Sequence, residues 1–94
     1  MFELLKDYYT QNIRIDLASA EQLARLNPDV ASYQSAAQDK MLVVSVLQGD
    51  VHESVYATLM EKFFDSFDEA QQIFLKLIRE NPDAVYFDFV SEHR

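Results

Sequence analysis

Between Tyr56 and Leu77 the apolar positions recur in steps of four and three: Tyr56, Met60, Phe63, Phe67, Ala70, Phe74 and Leu77. A helix turns once in 3.6 residues, so this spacing gathers them on one stripe and predicts an amphipathic helix over residues 51–80. Within it, Ser66-Phe67-Asp68-Glu69 fits a capping box, in which a hydroxyl and a carboxylate satisfy the first free amides of a new helix. A break at Asp65-Ser66 would then make a helical hairpin. Upstream, Phe2, Leu5 and Tyr9 share a face of a short first segment, and Ser19 is a candidate cap for a helix over 19–26 that carries Leu23 and Leu26. Val30, Tyr33, Ala37, Met41, Val44 and then Leu47 or Gln48 keep helical spacing through 28–48. Three stretches also fit strands: 13–17 alternates apolar and polar, 41–47 is apolar and rich in β-branched residues, and 84–90 is almost wholly apolar.

The chain holds one glycine, Gly49, and two prolines, Pro28 and Pro82. Tight hairpins lean on glycine for positive φ, so its scarcity argues against a hairpin-rich fold. Asn27-Pro28-Asp29 and Asn81-Pro82-Asp83 repeat one tripeptide, which reads as Asn at an N-cap with Pro at the first helical position. Gly49 fits a C-terminal cap, with Asp50 capping the next helix. The expectation is an all-α fold, a small single-domain bundle of four to five helices. The alternative is α+β, with short strands at 13–17, 41–47 and 84–90.

From Tyr56 onward, Leu59-Met60, Phe63-Phe64, Ala70, Phe74, Leu77 and Pro82 resemble a tetratricopeptide repeat, covering about a third of the chain. Met60 stands where that family prefers glycine, and the turn after Phe64 is short of its length. The resemblance implies a helical hairpin in an array whose concave face binds a peptide or protein.

Sixteen acidic against eight basic residues give a net charge of −8, which repels nucleic acid phosphates and anionic lipid and suits a basic partner. No stretch is long and apolar enough to cross a bilayer, the N-terminus lacks the pattern of a signal peptide, and there is no cysteine; together these suggest a cytoplasmic protein. His52 and His93 lack a second ligand at metal spacing, and Ser45, Ser54, Ser66 and Ser91 sit in no nucleophile elbow. One glycine rules out glycine-rich phosphate loops, and acids at EF-hand spacing are missing. The sequence therefore predicts neither enzyme activity nor a cofactor.

What it offers instead is a surface for a macromolecule. Glu61, Asp65, Asp68 and Glu69 would line one side of the 51–80 helix as an acidic stripe, beside an apolar strip that includes Phe64. With Phe67, Tyr86, Phe87 and Phe89 they form the expected partner-binding set. The reading is a non-enzymatic acidic protein-binding module of the immunity, inhibitor, chaperone or adaptor type, with aromatic groups supplying affinity and carboxylates steering a basic partner. The alternatives are a DNA-mimic regulator, whose carboxylates imitate phosphates, and a self-associating, homo-oligomeric subunit.

Overall fold

The computed structural model describes residues 13–50 and 55–91. In chain order the elements are β1 (Ile13–Ser19), α1 (Ala20–Leu26), α2 (Ala31–Gln38), β2 (Leu42–Asp50), β3 (Val55–Phe64), α3 (Phe67–Glu80) and β4 (Val85–Asp88). The expected first segment at 2–9, His52, Ser54 and His93 lie outside the described residues. The four strands form one mixed sheet in the order β3-β2-β1-β4. β1 and β2 pair antiparallel with Ile15 opposite Val46, β2 and β3 pair antiparallel, and β4 runs parallel to β1 with Arg14 opposite Val85.

The fold is thus α+β, which corrects both the helical bundle and the tetratricopeptide-like hairpin. Strands run through each of the three ambiguous stretches, and residues 55–64 form a fourth where the spacing had indicated helix. Tyr56, Met60 and Phe63 lie on a strand whose register shifts at a bulge opposite Val46/Leu47 and whose far end carries apolar residues on both faces. At its far end Phe64 packs under α3 with Val44 and Leu42, while Phe63 packs against Val43 and Ala36 on the opposite face. A strand buried on both sides loses its alternation, and a periodicity test then has nothing to distinguish it from a helix.

Helix α3 begins where the capping signal placed it. The Ser66 hydroxyl accepts from the Glu69 amide at 3.4 Å, and Asp68 and Glu69 lie in the first turn, where negative charge favours the helix dipole. A reciprocal capping box forms at α1. The Ser19 hydroxyl accepts from the Gln22 amide at 3.1 Å, and the Gln22 side-chain oxygen accepts from the Ser19 amide at 2.9 Å.

The two Asn-Pro-Asp tripeptides end helices rather than begin them. Asn27 and Asn81 are the C-caps of α1 and α3, and their side-chain amides donate to the carbonyls of Leu23 at 3.0 Å and Leu77 at 2.9 Å. Each then opens the same turn: Val30 donates its amide to Asn27 O at 3.1 Å and Ala84 to Asn81 O at 3.0 Å, with proline at the second position, where its fixed φ fits. Gly49 is not a helix cap either. It lies inside β2, opposite Tyr56.

α3 covers one face of the sheet. Ala70 and Phe74 pack on Ile15, Leu17 and Val44, and Leu77 and Ile78 extend the cluster. Among the described residues the other face is covered at one end only, where α1 and α2 bury Ala20, Ala36 and Val43. Alternation along each strand sends Arg14, Asp16, Ser45, Leu47 and Phe87 to this second face, and the uncovered part of it is where side chains remain to meet a ligand or partner.

Candidate functional site

Arg14 and Asp16 occupy positions i and i+2 of β1 and so emerge on the same face. Arg14 Nε donates to Asp16 Oδ1 at 2.8 Å. The guanidinium lies over two rings, 4.5 Å from the centroid of Phe87 on one side and 5.2 Å from that of Tyr56 on the other. Both distances are within the range in which an aromatic face attracts a cation. Phe87 in turn stacks on Phe89, with centroids 5.8 Å apart and planes 10° from parallel. Tyr56, Arg14, Phe87 and Phe89 therefore form a continuous row across the half-covered face. Gly49 is the neighbour of Tyr56 on β2, and its lack of a side chain leaves room for Arg14 to reach across from β1.

The electrostatics follow from partial burial. Burial raises the Asp16 carboxyl above its ordinary range, and the hydrogen bond and charge of Arg14 only partly offset this. For Arg14 the balance has the other sign. Burial opposes its charge, yet bonding and attraction from Asp16, with a contribution from Tyr56, raise it further above the ordinary value. The two directions agree in substance, since a guanidinium stays charged throughout and the cost of burial falls on the carboxylate.

Beside this row, between α1 and the end of β1, lies a hollow of about 340 Å³ whose lining includes Arg14, Asp16, Leu23 and Phe89. Gln22 fixes one wall, its side-chain amide donating to Phe89 O at 3.4 Å while the Phe89 amide donates to Leu17 O at 2.9 Å.

The residues expected to face a partner divide into separate groups. Asp65, Phe67, Asp68 and Glu69 gather at the start of α3, next to the end of the β3 edge strand. Tyr86, Phe87 and Phe89 lie on or just after β4 at the opposite edge, three inter-strand spacings or about 14 Å away across the sheet. Glu61 projects from β3 and accepts a hydrogen bond from the Tyr33 hydroxyl of α2, and Phe64 belongs to the partly buried rim of the α3 core. The acids therefore make no continuous stripe, because the helix that would have aligned them is a strand, a turn and a shorter helix.

β4 leaves its apolar residues in water: Tyr86 is 57% exposed and Phe87 43%. The two point to opposite faces, Tyr86 edge-on to Phe74 of α3 at 6.3 Å and Phe87 against Arg14. Sequence reasoning reached these rings but missed Arg14, Asp16 and Tyr56. The alternation at 13–17, with opposite charges two residues apart, was the available signal for the ion pair. Nothing local links Tyr56 to it.

The chain is thus a small α+β domain with a mixed four-stranded sheet, clad by one helix on one face and by a helix pair over part of the other. No family model matches it, and neither does any curated protein or solved structure. Among the described residues no helix is long and apolar enough to cross a membrane, and no group of three or more His, Asp or Glu side chains is placed to hold a metal ion.

Proposed function

We propose that this chain is a non-enzymatic binding module whose protein partner engages the β4 edge and the aromatic row beside it. The observation that carries the reading is the exposure of Tyr86 and Phe87 on a terminal strand. An edge strand has unpaired backbone donors and acceptors along one side, and apolar side chains there invite a further strand or an apolar surface. The other edge is defended: β3 carries Lys62, and its pairing with β2 is broken by a bulge at Val46/Leu47. β4 is protected only by its shortness and by Asp88 at its end, and its four residues, Val-Tyr-Phe-Asp, keep two exposed aromatic rings at its centre.

The charge of −8 favours a basic partner, drawn in over a distance and released by salt. Aromatic anchors would supply most of the affinity. The reading includes a cytoplasmic setting.

The test is affinity capture from host lysate at low and high salt, with the wild-type chain and a Tyr86→Ser/Phe87→Ser variant of unchanged circular dichroism. The wild type should retain one stoichiometric basic protein, less of it at high salt. The variant should bind that protein at least thirtyfold more weakly, the effect of about 2 kcal/mol or more that one buried anchor ring contributes. Equal retention by the two chains would place the partner surface elsewhere.

A further inference from the structure

The hollow beside α1 differs in character from the rest of the surface. Ala18, Leu23, Leu26 and Phe89 make its walls apolar. Leu26 is 78% exposed, a large apolar side chain left in water at the rim. The charged groups in the lining are Arg14, Arg25 and Asp16, two cations against one anion, on a chain whose net charge is −8. Arg14 pairs with Asp16 and Arg25 with Glu21, so the rim is locally balanced on a chain that is acidic overall, and these charges stand beside apolar walls. At about 340 Å³ it lies at the small end of the range of roughly 300–1,000 Å³ that ligand sites occupy.

From this geometry we infer that the hollow is a binding site for a small aromatic carboxylate, its ring between Leu23, Leu26 and Phe89 and its carboxylate toward the guanidinium groups of Arg14 and Arg25. Arg14 is held before any ligand arrives. Its Nε–H is committed to Asp16 and its guanidinium lies over the rings of Phe87 and Tyr56, so little conformational freedom remains to be lost. A guanidinium has five N–H donors, so the bond to Asp16 leaves donors that a carboxylate can use. Arg25 is bound to Glu21 at 2.6 Å, but both side chains are mostly exposed, and an ion pair of that kind contributes little that a ligand must overcome. Asp16 opposes an anion, and a bound carboxylate would share Arg14 with it. Gln22 has both ends of its amide engaged within the protein, so the arginines rather than this amide set the preference for an anion.

This inference goes beyond the partner surface and stands or falls without it. It is tested by titrating the full chain with 3-phenylpropionate and, separately, with the uncharged 3-phenylpropanol, following amide resonances. The acid should shift the resonances of Ala18, Leu23, Leu26 and Phe89 saturably and bind about tenfold or more tightly than the alcohol, since the charge-assisted bonds are lost in the latter. Arg25→Gln, an exposed substitution that leaves the core intact, should weaken the acid several-fold and leave the alcohol unchanged. Ala18→Leu, which extends a side chain into the hollow, should weaken both if the variant folds. Acid and alcohol binding equally, or shifts that do not saturate or that spread over the whole chain, would overturn the inference.

Discussion

A tyrosine hydroxyl that donates to a carboxylate is held in its neutral form. Tyr33 shows this: burial, then its hydrogen bond to Glu61 and the charge of that group, push its pKa up to about 12. The folded chain therefore keeps the Tyr33 proton above pH 10, where the unfolded chain releases it. The stability this adds is complete below about pH 10 and is lost as pH rises toward 12. Absorbance at 295 nm should show a tyrosine step near pH 12 that Tyr33→Phe removes. Asp16 gives the mirror case at the acidic end. Burial raises its folded pKa above the ordinary carboxyl value, so the folded state holds this proton more tightly, and its ionisation costs stability as pH rises from the ordinary value through the raised one. Urea midpoints measured from pH 3 to 7 should show Asp16→Asn gaining on the wild type across that interval. A constant difference between the two would mean that burial does not govern this carboxyl.

Helix α3 is the element on which the core depends most. Phe74, 3% exposed, reaches from it onto β1, and Phe74→Ala should destabilise the chain by about 3–5 kcal/mol in equilibrium denaturation. This helix was readable in the sequence because its stripe is one-sided and its start carries a cap. The β3 strand was not, because a bulge and the half-burial of Phe63 and Phe64 on opposite faces erased the alternation that marks a strand. The Asn-Pro-Asp tripeptides marked boundaries correctly yet gave their direction wrongly. An asparagine before proline can accept from the helix that follows or donate to the helix that precedes, and the sequence does not say which. Of the candidate site, Tyr86, Phe87 and Phe89 were legible as aromatics in an apolar run. The row they form with Arg14 and Tyr56 was not, since it joins residues from three strands through a register that only the assembled sheet supplies.

Among the described residues the molecule is asymmetric: a covered face and a half-covered one, an edge interrupted by a bulge and a short edge of exposed rings, an acidic chain and a hollow whose charges balance. The two proposed contacts use the open halves of these contrasts. The placement of β1 has a further consequence, in time rather than in space. β1 lies between β2 and β4, and its parallel partner comes from roughly seventy residues further along the chain, which makes this contact slow to close. A nascent chain must hold the Leu17 edge of β1 bare until Asp88 has emerged, while β1, β2 and β3 are already able to pair. In refolding experiments, substitutions at Val43 or Val44 should therefore slow folding, whereas those at Val85 or Phe87 should act mainly by hastening unfolding. The surface offered to a partner would then be the last part of the sheet to exist, and its formation would certify that the rest is in place.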